Sequence, residues 1–207
     1  MGNVDNEAVA KAIEVLRAGG VILYPTDTIW GIGCDATNPK AVARVYEIKK
    51  RADSKALVLL ASDLDMICRY VREIPDMAIQ LVEVNDSPMT IIYPEAIAGK
   101  APAEGEEAVP DRHFLAWNVV AEDGSVAMRI PDMDFCKVLI HKLGRPIVST
   151  SANISGEPSP KKFADIPEPI RSAVDHIVDP AEEKNSTGKA SQIIKVGIDG
   201  QICIIRS

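Results

Sequence analysis

The sequence predicts an α/β protein in which helices flank a twisted, mixed β-sheet. Helical and strand patterns alternate along the first half of the chain, whereas several strands in the second half follow one another directly. That order favours a sheet with both parallel and antiparallel pairs over a purely parallel one. The chain has 207 residues, 46% of them hydrophobic, which is enough to bury one large core. We therefore expect a single domain over residues 1–207.

The N-terminal half has clear helix and strand signals. Gly19-Gly20 ends an amphipathic helical pattern, Pro39 opens another, and Pro25 follows a short apolar run typical of a buried strand. These patterns predict helices over 6–18, 39–50, 63–70 and 76–84, and strands over 21–24, 56–60 and 89–93.

The C-terminal half begins with a segment without a clean period. Residues 94–112 are rich in Pro, Gly, Ala and Glu and predict a long surface excursion, either a lid or only a surface loop. A helix over 133–143 is expected, capped by Asp132 and closed by Gly144. Strands are expected over 114–120, 125–130, 147–148, 177–178, 192–196 and 202–205, with a Ser/Asn/Gly loop over 149–159.

Composition and charge argue against several functional classes. The formal net charge of −7 argues against broad nucleic-acid or membrane binding. The four cysteines lie far apart and the three histidines do not fall at metal-ligand spacing, so we expect no metal centre and interpret the cysteines as reduced, buried core residues. No apolar run approaches the length of a membrane span and no signal pattern opens the chain, which predicts a soluble, cytoplasmic protein without membrane partners.

Three polar segments are candidates for chemistry. The first is the turn Thr26-Asp27-Thr28 after a buried strand, which either holds a ligand or only satisfies its own backbone. The second is the cationic segment 49–55, which fits a phosphate chain but also fits a helix C-terminus. The third is the hydroxyl-rich loop 149–156, which either cradles phosphate or ribose or is simply solvated. No Walker-type glycine loop is present.

Taken in order, these segments resemble the YrdC-type threonylcarbamoyl-AMP synthases, in their short, single-domain form. The resemblance covers the chain from Gly19 to Arg206. It rests on PTDTIWGIG at 25–33, Lys-x-Arg with a following Lys at 49–55, Ser-x-Asn at 151–153, SVAMRIP at 125–131 and GKASQIIKV at 188–196. It implies a twisted α/β sheet with a concave basic face, and a reaction that joins L-threonine, bicarbonate and ATP into threonylcarbamoyl-AMP and pyrophosphate.

The resemblance also implies roles for individual residues. The catalytic cations would be Lys49, Arg51 and Lys55. The threonine site would consist of Thr28, Arg129 and Ser149. The ATP site would consist of Arg51, Lys55, Ser125, Ser151, Asn153, Ser159 and Arg206. Mg²⁺ is expected only through the phosphates, with no metal ligand from the protein. The downstream partner would be the machinery that transfers the threonylcarbamoyl group to tRNA.

These roles agree with the chemistry, because all the reacting partners are anionic and the main task is charge neutralisation and alignment. Two departures from the family pattern stand out: Leu60 replaces an expected histidine, and Gln192 stands where threonine is usual. Two other functions compete with the synthase. One is a module that binds double-stranded RNA or tRNA without catalysis, and weak RNA binding is also among the partners expected for the synthase. The other is a carbamoyl-phosphate-handling relative, which normally occurs within longer chains.

Overall fold

The computed structural model describes residues 4–50 and 57–207. The helices are α1 (Asn6–Arg17), α2 (Pro39–Lys49), α3 (Leu64–Cys68), α4 (Asp76–Val84), α5 (Asp134–Leu143) and α6 (Glu168–Arg171). The strands are β1 (Ile22–Tyr24), β2 (Gly31–Gly33), β3 (Val58–Leu60), β4 (Met89–Tyr93), β5 (Val126–Arg129), β6 (Ile147–Val148), β7 (Thr150–Ser151), β8 (His176–Ile177), β9 (Gln192–Val196) and β10 (Ile202–Arg206). Short 3₁₀ turns lie at Trp117–Val119, Phe163–Asp165 and Pro180–Glu182.

The strands form two mixed sheets. The smaller sheet has the order β7-β2-β1-β8, with a parallel β1–β8 pair, and the larger has the order β10-β9-β4-β5-β3-β6, with parallel β3–β5 and β4–β9 pairs. All remaining pairs are antiparallel. The expectation of a mixed α/β architecture is confirmed, although the strands divide between two sheets.

The two sheets are joined through the segment 147–151. β6 belongs to the larger sheet and β7 to the smaller, and only Ser149 separates them. The Ser149 amide donates to the Val58 carbonyl at 2.7 Å, and the Val148 amide donates to the Cys34 carbonyl at 2.9 Å. These bonds fix the crossing point, so the end of β6 and the start of β7 lie where the sheets meet.

Glycines make the contact between the sheets possible. A Cβ on Gly33 would lie 2.5 Å from the Val148 carbonyl oxygen and 2.6 Å from the Tyr24 ring. Real Cβ atoms do not approach backbone oxygen so closely, so only glycine fits at this position. Tyr24 is fully buried here and donates its hydroxyl to the Val148 carbonyl at 3.2 Å.

Two predicted features of the C-terminal half are wrong. The strand expected over 114–120 is instead the 3₁₀ turn Trp117–Val119. The turn forms because Asn118 bonds to α2. Its side-chain amide donates to the Pro39 carbonyl at 3.0 Å, and its backbone carbonyl accepts from the Tyr46 hydroxyl. Asp132 does not cap α5, whose first residue is Asp134. The Asp132 carboxylate accepts from Lys137 instead.

The cysteines divide into two groups. Cys34 and Cys136 are buried, as expected, whereas Cys68 and Cys203 are exposed, which corrects the expectation that all four belong to the core. All four are free thiols. Burial raises the pKa of the Cys136 thiol well above its ordinary value. Among the described residues, no helix is both long and apolar enough to cross a membrane.

Candidate active site

A cavity lies where the two sheets meet. We call it the basic cavity, because Arg129 and Arg206 line it and no acidic residue does so among the described part of the chain. Hydroxyl groups form much of the remaining lining, at Thr28, Ser149, Thr150, Ser151, Ser159 and Ser191. Two guanidinium groups and many hydroxyls suit a polyanionic ligand such as a nucleotide.

Arg129, the last residue of β5, is the charged centre of the site. Its guanidinium donates to Asp27 at 2.7 Å, to the Thr28 hydroxyl at 2.9 Å and to the Thr26 hydroxyl at 3.3 Å. The Arg129 and Asp27 side chains are 3% and 6% exposed. A buried charge is tolerated when it is paired and hydrogen-bonded, so this pair holds the guanidinium in one orientation.

The turn Thr26–Thr28 is organised around one hydroxyl. The Thr26 hydroxyl donates to the Ile29 carbonyl at 2.7 Å and accepts from the amides of Thr28 and Ile29. It also lies 2.9 Å from the Thr28 hydroxyl. The turn therefore satisfies its own backbone and still presents Thr28 to the cavity. The structure therefore shows the self-satisfied turn, and ligand binding by Thr28 stays a prediction.

Lys49 is a buried support for the Ser-x-Asn loop. It is 1% exposed, and its ammonium donates to the carbonyl oxygens of Ser151 and Asn153 and to the Asn153 side-chain oxygen. The Ser155 amide in turn donates to the Lys49 carbonyl at 2.9 Å. The end of α2 and this loop are thus held together by a single ammonium with several acceptors.

The C-terminal strand carries Arg206 to the opposite wall. Its guanidinium donates to the Ser191 carbonyl at 2.7 and 3.1 Å. The pairing of β10 with β9 is irregular between Ile204 and Arg206, where Arg206 comes to lie opposite Ile193. Residues paired across strands share a face, and Ile193 also lines the cavity. This irregularity places Arg206 at the edge of the basic cavity, where it stays exposed but loses enough solvent to lower the pKa of its guanidinium.

Comparison with known proteins identifies the family. The sequence model of the Sua5/YciO/YrdC family, described as "Telomere recombination", matches residues 14–207. The chain belongs to the Sua5/YciO/YrdC family. A threonylcarbamoyl-AMP synthase of Stenotrophomonas maltophilia is 35% identical over 171 residues, covering 82% of this chain and 84% of that protein. A threonylcarbamoyl-AMP synthase of Escherichia coli K12 is 32% identical over 156 residues, covering 75% of each.

Solved structures of this Sua5/YciO/YrdC family share the fold. P. abyssi Sua5 complexed with L-threonine matches with a TM-score of 0.72 and 27% identity, over 91% of this chain and 50% of that one. This chain therefore spans about half the length of that relative. E. coli YciO matches with a TM-score of 0.72 over 97% of this chain and 89% of that one. At 23% identity, this second likeness shows the fold alone.

The structure brings together many of the residues predicted for a Sua5/YciO/YrdC site. Those lining the basic cavity are Thr28, Arg129, Ser149, Ser151, Ser159 and Arg206. Lys49 and Asn153 are buried and do not line it. Ser125 does not line it: it precedes β5, at the end of that strand opposite Arg129, and its hydroxyl donates to Asp123 at 2.6 Å. Arg51 and Lys55 lie outside the described residues.

Sequence reasoning placed Asp27 in a candidate turn but did not predict two contacts that support the site. Asp27 is the ion-pair partner of Arg129, and its place between two threonines in the PTDT motif was the available signal. The loop at 186–187, from a distant part of the chain, also forms hydrogen bonds to the same turn. The Ser186 hydroxyl donates to the Thr28 carbonyl at 2.7 Å, and the Thr187 amide donates to the Asp27 carbonyl at 2.9 Å. No local pattern predicts that second contact.

Leu60 and Gln192, the two departures from the family pattern, lie in different environments. Leu60 ends β3 fully buried, opposite Arg129 in the parallel pair. Gln192 is exposed at the start of β9. None of residues 94–112 lines the basic cavity. Across residues 4–50 and 57–207, no group of His, Cys, Asp and Glu side chains has the arrangement of a metal site.

Proposed function

We propose that this protein is an L-threonylcarbamoyladenylate synthase, which converts L-threonine, bicarbonate and ATP into threonylcarbamoyl-AMP and pyrophosphate. The observation that carries the proposal is the cavity lined by Arg129, Arg206 and six hydroxyl side chains but by no described carboxylate. Relatives named threonylcarbamoyl-AMP synthase, 35% and 32% identical to this chain, support the same reaction.

Charge is the main physical reason for this assignment. Bicarbonate, the triphosphate and the carbamate are all anions, so they repel one another as they approach. Fixed guanidinium and hydroxyl donors lower that repulsion without having to reorganise during the reaction. The whole chain has a formal net charge of −7. Anionic ligands are therefore expected to bind at this positively charged cavity and not over the rest of the surface.

Threonine is assigned to the wall formed by Thr28, Arg129 and Ser149. Arg129 has five N–H donors, and three of its hydrogen bonds are made to Asp27, Thr26 and Thr28. The remaining donors suffice for the substrate carboxylate. With its carboxylate bound to the guanidinium and the rest of the molecule against the Thr28 hydroxyl, threonine would have its amine close to the bicarbonate carbon.

ATP is assigned to the wall formed by Ser151, Ser159 and Arg206, with Arg51 and Lys55 from the family motif. Lys49 and Asn153 are proposed as positioning residues, because their hydrogen bonds are made within the loop that carries Ser151. The earlier assignment of Ser125 to ATP finds no support in its position outside the cavity.

The proposed reaction has two bond-forming steps. The threonine nitrogen attacks the carbon of bicarbonate, a C–N bond forms, and water leaves as the carbamate is completed. A carbamate oxygen then attacks the α-phosphorus, and the bond from that phosphorus to the oxygen bridging the β-phosphorus breaks, releasing pyrophosphate. Alignment and charge neutralisation account for both steps, so no protein nucleophile is needed.

Several finer assignments belong to the same proposal. Mg²⁺ would bind through phosphate oxygens, as is usual in nucleotide sites. The product would pass to the machinery that modifies tRNA, in the cytoplasm where ATP and tRNA meet. We also propose that residues 1–207 act as one domain, since one cluster of buried residues contains members of both sheets.

Pyrophosphate release tests the function. Arg51→Ala and Lys55→Ala should each remove a charge-assisted contact of roughly 1.5–3 kcal/mol and strongly reduce ATP- and threonine-dependent pyrophosphate release. Arg72→Ala is the matched control, because its side chain is 77% exposed and it does not line the basic cavity. Unchanged pyrophosphate release in both Arg51→Ala and Lys55→Ala would contradict the proposal.

The amino-acid substrate is tested in the same assay. L-Threonine should support pyrophosphate release, and L-serine, L-valine and L-alanine should support much less. Equal release with all four amino acids would contradict threonine as the substrate while leaving an ATP-dependent reaction intact.

A further inference from the structure

A fully buried threonine lies in β4, close to the wall of the basic cavity that carries Arg206. β4 has the sequence Met-Thr-Ile-Ile-Tyr, and Thr90 at its second position is 0% exposed. Valine has nearly the same shape and would fill this position without burying a hydroxyl group, which is costly unless the hydroxyl is hydrogen-bonded. The Thr90 hydroxyl therefore needs a partner inside the protein.

Ser191 is that partner. The Thr90 and Ser191 hydroxyl oxygens are 2.7 Å apart, and within residues 4–50 and 57–207 neither hydroxyl has another hydrogen-bond partner. The Gln192 amide donates to the Pro88 carbonyl at 3.0 Å, which holds the start of β9 against β4. Ser191 is 7% exposed and lines the basic cavity, so the hydroxyl pair reaches from the interior of the sheet to the cavity wall.

The direction of this hydrogen bond follows from the burial of its two ends. Each hydroxyl has one hydrogen to donate and an oxygen that accepts. If Ser191 were the donor, the Thr90 hydrogen would have no acceptor in a place that neither solvent nor a ligand reaches, which proteins rarely tolerate. If Thr90 is the donor, its hydrogen is satisfied and the Ser191 hydrogen is left for the basic cavity. The second arrangement is therefore the stable one.

The backbone of Ser191 supports the same wall in a second way. Its carbonyl oxygen accepts from the Arg206 guanidinium at 2.7 and 3.1 Å. A displacement of Ser191 would therefore also displace that guanidinium. Thr90 thus supports one hydroxyl donor and one cation of the basic cavity, although it does not line the cavity itself.

We propose that Thr90 is a positioning residue for the basic cavity. It donates its hydrogen to the Ser191 hydroxyl oxygen, and the Ser191 hydroxyl in turn donates to an anionic oxygen of a bound substrate. That oxygen belongs to the carboxylate of threonine or to a phosphate of ATP, which accept a hydroxyl hydrogen in the same way. The inference rests on the proposed function only in placing anionic substrates in this cavity.

Equilibrium binding tests the inference without requiring turnover. L-Threonine and ATP are titrated separately into the wild type, Thr90→Val and Thr90→Ser, and binding is followed by calorimetry. Thr90→Val removes the donor with little change of shape, so at least one dissociation constant should rise about three- to tenfold. Thr90→Ser keeps the hydroxyl and should stay within about twofold of the wild type. The ligand with the larger loss of affinity is the one that Ser191 contacts, and unchanged affinity for both ligands in Thr90→Val overturns the proposal.

A double-mutant cycle with Ser191→Ala distinguishes positioning from a general structural effect. Ser191→Ala removes the hydroxyl but keeps the backbone carbonyl to which Arg206 donates. It should weaken binding of the same ligand, and this tests the hydrogen-bond chain even if Thr90→Val does not fold. In the Ser191→Ala protein, Thr90→Val should weaken binding no further, because the two residues act through one contact. A full Thr90→Val effect in that background, or unchanged affinity in Ser191→Ala alone, overturns the proposal.

Thr37→Val is the matched control for the loss of a buried threonine hydroxyl. Thr37 is 1% exposed, its hydroxyl donates to Asp35 at 2.7 Å, and it does not line the basic cavity. Thr37→Val should lower the free energy of unfolding and leave both dissociation constants unchanged. Equal weakening of binding by Thr37→Val and Thr90→Val would assign the effect to stability and overturn the positioning role.

Turnover separates this inference from the proposed function. A wild-type protein that binds both ligands and shows the Thr90→Val loss, but releases no pyrophosphate, would contradict the synthase and support the role of Thr90. Pyrophosphate release by the wild type, with unchanged affinities in Thr90→Val, would do the reverse. A wild type that binds neither ligand overturns both.

Discussion

At the scale of single residues, two buried cations are each held by several hydrogen bonds. Arg129 and Lys49 have almost no exposed surface, and each makes three hydrogen bonds within the described chain. A buried cation with such partners has a fixed position. Substitutions that keep the charge but change its geometry are therefore informative.

Arg129→Lys tests the need for a planar guanidinium. An ammonium still pairs with Asp27, so the variant should fold, but it cannot also serve Thr26, Thr28 and a substrate carboxylate. We expect the KM for threonine to rise at least about tenfold, with a smaller change in the KM for ATP. Steady-state kinetics with each substrate varied in turn will measure both values. A threonine KM equal to that of the wild type contradicts the assignment of Arg129.

Lys49→Met tests the buried ammonium. The substitution leaves three loop acceptors without their donor, so the free energy of unfolding should fall by roughly 1–3 kcal/mol, and pyrophosphate release should fall with it. Urea denaturation gives the first quantity. Lys50→Asn is the matched control, because Lys50 is exposed and has a φ of 49°, which asparagine tolerates. Equal stability of Lys49→Met and Lys50→Asn would show that the ammonium is not a support.

At the scale of secondary-structure elements, the site depends on how closely the two sheets approach. β1, β2 and the β6–β7 crossing meet around Tyr24, whose hydroxyl reaches the Val148 carbonyl. Burial raises the pKa of that hydroxyl, which keeps it a donor across the ordinary pH range. The glycine in β2 leaves the space for this contact.

Gly33→Ala tests the close approach. The new methyl group would lie 2.5 Å from the Val148 carbonyl oxygen, and relief requires the sheets to separate. Overpacking of this kind costs about 1–3 kcal/mol, which chemical denaturation will show as a lower midpoint. Gly99→Ala is the control, because its methyl group would meet nothing closer than 3.8 Å. A Gly33→Ala protein as stable as Gly99→Ala would disprove the steric argument.

At the scale of the whole molecule, ion pairs join parts that are distant in the chain. Arg44 of α2 donates to the Asp175 carboxylate at 2.7 and 3.2 Å, and the Val21 amide donates to it at 2.7 Å. The Arg44 hydrogen bond, with a contribution from the Val21 amide, holds the pKa of Asp175 below 3.8. The carboxylate thus ties the β8 region to α2 and to the segment before β1.

The pH dependence of stability tests this link. A carboxyl whose pKa is lowered by folding stabilises the protein above its unfolded pKa, near 3.8, and loses that contribution as the pH falls through the folded pKa. Asp175→Asn should therefore be less stable than the wild type at pH 7, and the difference should shrink below the ordinary pKa of aspartate. Urea titrations across this range will measure it, with exposed Asp132→Asn as the comparison. A difference independent of pH would assign the effect to packing.

The local sequence determined a large part of the fold. Apolar periodicity reports whether a segment is buried on one face or on two. Pro39 marks the start of α2, and the glycines after α1 and α5 mark where those helices end. Most helices and strands follow those signals. The exceptions are informative. Trp117–Val119 has an apolar pattern suitable for a strand, but Asn118 finds its hydrogen-bond partners on α2. Asp132 has a side chain suitable for a cap, but it pairs with Lys137.

The sequence by itself determined the order of the elements and the ordered motifs that indicate the family, because both are written in residues close together along the chain. Only the tertiary structure decided that Lys49 is enclosed by the Ser-x-Asn loop and that Asp27 pairs with Arg129. Those facts depend on contacts between residues about a hundred positions apart. A local pattern reports which side of an element is buried, but not which distant charge it will meet there.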